Sequence, residues 1–132
     1  NWNRLLQMES LKYIYRPSTY LNEEALASAE ALVRWEKEGK LIPPNDFIPI
    51  LEQKGLITKL DFYVLEQVCR KMQSWKNEGR ELIEIAVNFS RRHLENPDFI
   101  QNLCSIADQY GIPHYLLVVE LTETAMWENE KI

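Results

Sequence analysis

The chain predicts an α/β fold in which strand-like and helix-like runs alternate, and three observations carry that expectation. Strand-like runs recur at 26 to 30, 83 to 88 and 116 to 120, and each is followed by a helix-like stretch. An oxygen-bearing side chain closes each run: Glu30, Asn88 and Glu120. The composition is that of an ordinary globular domain, with 45% hydrophobic residues, 27% charged residues and few glycines. Parallel α/β sheets and barrels gather their chemistry at the carboxyl ends of the strands, so the three groups are expected to emerge together there. Converging oxygen ligands suit a hard divalent cation such as magnesium or manganese.

The elements follow in order. Residues 2 to 8 read as a short helical lead-in, the tail of a linker. Leu11 to Tyr15 alternates as a first strand and is expected to stop at Arg16-Pro17, with a polar turn over 18 to 24. A second strand is expected from Ala25 through Trp35, with Glu30, Leu32 and Arg34 on one parity. After Gly39, the run Pro43-Pro44-Asn45 announces a helix with Asn45 as its cap, ended by Gly55. Leu60, Val64, Leu65, Val68, Cys69, Met72 and Trp75 recur at helical spacing, which predicts a long amphipathic helix over 60 to 78, stopped by Gly79.

The third strand is expected over Leu82 to Phe89. Ile83, Ile85 and Val87 share one face, and Ala86 and Asn88 the other. A helix with an apolar stripe then runs from Pro97-Asp98 to Gly111, a fourth strand over Leu116 to Thr122, and a further helix starts at Thr124. Trp35 and Trp75 read as packing residues, and His93 and His114 as surface or helix-start residues. Cys69 and Cys104 fall in apolar stripes 35 residues apart, which predicts buried reduced thiols and a cytoplasmic setting.

The net charge of -5 argues against a module for polymeric nucleic acid, which needs a basic stripe to offset phosphates. No apolar stretch approaches the roughly 20 residues of a membrane span, and the polar start Asn1-Trp2-Asn3-Arg4 is no signal peptide. A soluble chain without membrane contact is therefore expected. The absence of an initial methionine reads as an internal segment.

The words around the three strand ends are as informative as their spacing. Residues 30 to 35 read Glu-Ala-Leu-Val-Arg-Trp, 86 to 90 read Ala-Val-Asn-Phe-Ser, and 120 to 123 read Glu-Leu-Thr-Glu, with Phe47-Ile48-Pro49 and Gly55-Leu56-Ile57 between the first two. This ordered set closely resembles the EAL domain of bacterial cyclic di-GMP phosphodiesterases, across roughly residues 10 to 127. The resemblance implies a modified TIM-type (β/α) barrel, which takes about 250 residues. With 132 residues, the chain is expected to be a partial barrel: residues 1 to 9 a linker helix, and residues 10 to 132 the N-terminal half of the domain. The family's later paired aspartates before Phe-Gly, its catalytic lysine and a further metal-binding carboxylate have no counterpart in these residues, so this length alone is expected to be inactive.

By the same resemblance, Glu30, Asn88 and Glu120 are metal ligands for Mg2+ or Mn2+ in a two-metal site. Arg16, Leu32 and Arg34 contact the substrate, cyclic di-GMP, and Glu123 steadies a later loop. Arg16 departs from the family, which commonly reads Tyr-Gln-Pro where this chain reads Tyr15-Arg16-Pro17. Two functions are implied: a metal-dependent phosphodiesterase that opens cyclic di-GMP to linear pGpG, or a degenerate EAL domain acting as a non-catalytic cyclic di-GMP receptor or protein-binding module. An upstream signalling domain is expected in the parent protein. Four strands cannot close a barrel, so self-association, such as a homodimer, is expected through open edges and apolar faces.

Overall fold

The computed structural model describes residues 11–20 and 26–122. In chain order it contains β1 (Leu11–Tyr20), β2 (Leu26–Lys37), β3 (Lys40–Ile42), α1 (Pro44–Gln53), α2 (Ile57–Asn77), β4 (Glu84–Ser90), α3 (Phe99–Gln109) and β5 (Leu117–Thr122), with 3-10 turns at Arg91–Glu95 and His114–Leu116. The described strands form one sheet in the order β1-β2-β4-β5, with β3 also beside β2. β2, β4 and β5 are mutually parallel, whereas β1 and β3 run antiparallel to β2. The expected lead-in helix over 2 to 8 and the helix from Thr124 lie outside the described residues.

β2 is used twice along one edge. Its early part, Ser28–Ala31, pairs with Glu84–Val87 of β4, and its late part, Trp35–Lys37, pairs with Lys40–Ile42 of β3. β1 covers the other edge from Leu26 to Trp35. The sheet therefore has five described strands, one more than the sequence predicts. The extra strand, β3, arises from a two-residue turn in which Glu38 and Gly39 both adopt positive φ, 53° and 79°. Two successive positive-φ residues make the turn whose twist matches that of paired strands. Replacing Gly39 with alanine should therefore destabilise the fold by about 1 kcal/mol, because a β-carbon disfavours this backbone region. Urea denaturation checks this, and an unchanged midpoint would contradict the turn.

β1 also outruns its prediction. It continues through Pro17, which pairs with Ala29, to Tyr20, with irregular register between Pro17 and Tyr20. Proline is tolerated because β1 is the last strand on its side of the described sheet, where a missing N–H breaks no ladder. Positions 18 to 20 are thus strand rather than turn. Asn45 does not cap α1: the helix begins at Pro44 with Pro43 as its cap residue, and no side chain caps it. Proline has a preset φ and no N–H to satisfy, so it starts a helix without a polar cap.

The core lies between the helices and one face of the sheet. Odd-numbered strand residues Ala29, Ala31, Val33, Ile85, Val87 and Phe89 pack against Leu60, Val64, Leu65, Val68 and Met72 of α2 and against Phe47, Ile48 and Leu51 of α1. Each large apolar side chain so buried contributes about 1.5–3 kcal/mol. The same alternation leaves Ala86 and Asn88 on the opposite face, less buried than Ile85 and Val87. Trp35 meets Phe47 edge-on at 6.0 Å and Trp75 meets Tyr15 at 5.6 Å, so both tryptophans pack as expected.

Both cysteines are free, but only Cys69 is buried, while Cys104 is half-buried because it lines an open groove together with Ile100, Ala107 and His114. Burial first, and then the charge of Glu66, pushes the Cys69 thiol up to about 12. Alkylation of the folded protein at pH 8 should modify Cys104 and spare Cys69 until denaturant is added. Peptide mass spectrometry reads this directly, and rapid native labelling of Cys69 would contradict the packing.

Candidate functional site

The strand registers bring the three expected ligands to one face. Glu30 on β2 stands opposite Ala86 on β4, and Asn88 on β4 stands opposite Glu120 on β5. Facing residues of a pleated sheet project to the same side, and residues two apart along a strand do so as well. Glu30, Asn88 and Glu120 therefore share the face turned away from the helices, near the carboxyl ends of β4 and β5. Glu30 does not close its strand, as the sequence suggested. It sits next to the last β2 residue paired with β4, and β2 then runs on to pair with β3.

The electrostatics agree with this convergence. The carboxyl group of Glu120 is raised above the ordinary glutamate range, first by burial and then by the negative charge of Glu30, with Arg16 acting in the opposite direction. The negative charge of Glu30 that disfavours ionisation of Glu120 makes a field that a cation relieves. Asn88 adds a neutral carbonyl oxygen beside them. Among the described residues no group of three or more His, Cys, Asp or Glu is gathered. The donor set here is two carboxylates and an amide, whose hard oxygen chemistry fits Mg2+ or Mn2+.

The flanking residues are placed as follows. Arg16, the β1 residue opposite Glu30, has its guanidinium 2.5 Å from Glu30 Oε1. Its charge thus lies directly against the Glu30 carboxylate. Arg34 shares the parity of Glu30, and its Nη1 donates to the carbonyl of Val33 at 2.8 Å. Leu32, also on this face, is only 4% exposed. Glu123 lies outside the described residues.

One polar pair escaped the sequence reading. His93 was expected at the surface, but it is 2% exposed, with Nε2 2.9 Å from Asp61 Oδ2. The Ser90 N–H donates to the same oxygen at 2.8 Å. The ring of His93 stacks on Phe99 at 4.8 Å and meets Phe62 and Phe89 edge-on. Asp61 on α2 thus holds the end of β4, two residues beyond Asn88. Burial raises the carboxyl group of Asp61, while its bonds to His93 and Ser90 partly oppose the shift. The available signal was an aspartate inside the apolar stripe of a helix, between Leu60 and Val64, where a charged group needs a partner.

The EAL domain family model matches residues 1–131, and the chain belongs to that family. It is 35% identical over 133 aligned positions to cyclic di-GMP phosphodiesterase PdeR of Escherichia coli K12, a match covering 100% of this chain and 20% of that protein. Signaling protein YkoW of Bacillus subtilis is 31% identical over 116 positions, covering 87% of this chain and 14% of that protein. Among solved structures, the PaMucR phosphodiesterase in its c-di-GMP complex superposes with a TM-score of 0.81 at 29% identity, covering 98% of this chain and 53% of that one. The FimX EAL domain of Xanthomonas citri in complex with c-diGMP gives 0.77 at 22% identity, covering 98% and 50%, and bears on the fold alone. The chain spans about a fifth or less of these curated relatives and about half of these solved chains. Its fold is accordingly a partial TIM-type barrel. No helix among the described residues is long and apolar enough to cross a membrane.

Proposed function

We propose that this chain supplies the first half of the metal-binding face of a phosphodiesterase that hydrolyses cyclic di-GMP to linear pGpG. The observation that carries this reading is the placement of Glu30, Asn88 and Glu120 on one sheet face at three adjacent parallel strands. When bound there, Mg2+ or Mn2+ would supply Lewis acidity toward the phosphodiester and an activated water. Glu30 and Glu120 provide the negative charge that retains such ions, and Asn88 adds a ligand oxygen without further charge, so an anionic substrate is still accepted. Arg34 and Arg16 are the cationic groups on this side for phosphate oxygens, a task suited to the planar guanidinium fork. Leu32 is assigned to lining the substrate side of this face, and Glu123 to steadying a following loop.

The same reading includes an upstream domain joined through a linker at residues 1 to 9, a cytoplasmic setting, and self-association through β5, the last strand on its side of the described sheet. A second reading, a receptor that binds cyclic di-GMP without cleaving it, is favoured by one observation: Arg16 already engages Glu30. Chromatography of reaction products with Mn2+ separates the two. The full-length protein should yield pGpG, and the 132-residue chain alone should yield none above a blank, because groups that act as a unit are not replaced by those that remain. Binding without any product from the full-length protein would overturn the catalytic reading.

A further inference from the structure

We propose that Arg16 is a resident counter-cation of the site, whose guanidinium holds Glu30 in the cation-free protein and must leave before a divalent ion takes that carboxylate. The inference rests on the reading of Glu30 as a metal ligand and adds a competitor to it. The pair is built into the sheet. Arg16 and Glu30 are cross-strand partners in the β1–β2 register, so the backbone itself delivers one to the other.

The guanidinium contacts Glu30 Oε1, one of the two oxygens this carboxylate can offer a metal ion. The Glu30 side chain is only 15% exposed, which leaves little room for two cations at that oxygen, whereas Arg16 is 60% exposed and can swing into solvent. The charge of Arg16 also acts on Glu120 across the site, so it offsets part of the field of both carboxylates. An exposed ion pair is weak enough to be displaced by a doubly charged ion yet strong enough to lower that ion's apparent affinity. Displacement also frees a bidentate donor on the side where a phosphate would approach, so cation and phosphate binding become mutually supportive.

Mn2+ titration followed by electron paramagnetic resonance of the free ion, on the full-length protein and its Arg16→Gln, Arg16→Lys and Glu30→Gln variants, tests this. Arg16→Gln should bind Mn2+ about three- to tenfold more tightly than the wild type, the order expected for removing one nearby exposed positive charge. Arg16→Lys, which keeps the charge, should stay within about twofold of the wild type. Equal or weaker binding by Arg16→Gln, with Glu30→Gln weakened, would overturn the inference and leave the ligand role of Glu30 standing. Undiminished binding by Glu30→Gln, or no binding by any of the four proteins, would overturn the ligand reading and this inference with it.

Discussion

Replacing Glu30 or Glu120 with glutamine should lower Mn2+-dependent hydrolysis of cyclic di-GMP by the full-length protein at least about a hundredfold. Glutamine keeps the length and shape of the side chain, so the pairing of Glu30 with Ala86 and of Asn88 with Glu120 is retained. What changes is charge. One of the two carboxylates that hold the cation becomes a neutral amide, and the remaining donors are one carboxylate and one or two amide oxygens. Glu120→Gln, at an exposed position, should unfold within about 0.5 kcal/mol of the wild type, and Glu30→Gln, which loses its pairing with Arg16, within about 1 kcal/mol. Initial rates at saturating Mn2+ and substrate provide the check. A loss of less than about fivefold in both variants would mean that these carboxylates stand beside the chemistry and do not take part in it.

The second large effect falls on stability. Asp61→Ala should cost about 3 kcal/mol, because it strands two groups at once: the Ser90 N–H and the buried ring nitrogen of His93. Asp61→Asn keeps an acceptor for Ser90 and should cost about 1 kcal/mol. The two variants should also differ from the wild type in pH dependence. The carboxyl group of Asp61 is raised above 3.8 in the fold, chiefly by burial. A raised acid holds its proton more tightly when folded than when unfolded, so its stabilising contribution is full below the unfolded value and is lost as pH rises through the folded value. Asp61→Asn carries no such proton and should lack this slope, so its deficit relative to the wild type shrinks as pH is raised from 3 toward neutrality. Urea denaturation at several pH values measures both effects. A cost below 0.5 kcal/mol for Asp61→Ala would contradict the role of this pair in securing the end of β4.

The parts legible in the sequence were those governed by local periodicity and by distinctive words. Asn88 and Glu120 could be placed because alternation along short parallel strands fixes the face of every residue once the core side is known. The long helix was legible because Leu60, Val64, Val68 and Met72 are spaced for one face. β3 was hidden because Glu38-Gly39 lacks the asparagine or aspartate that usually marks such a turn, and because three residues before Pro43-Pro44 carry little pattern. The extension of β1 past Pro17 depends on its position at the side of the sheet, which no local signal records. The engagement of Arg16 with Glu30 and of His93 with Asp61 joins residues 14 and 32 positions apart, and both follow from tertiary register.

Whether Glu30, Asn88 and Glu120 are metal ligands can be seen by anomalous diffraction at the manganese edge from crystals of the full-length protein grown with Mn2+. Anomalous density is expected within coordinating distance of the Glu30 and Glu120 carboxylates and the Asn88 amide oxygen, on the sheet face opposite α2. A Mn2+ peak held by other residues, or crystals at saturating Mn2+ with no peak among these three, would contradict this assignment.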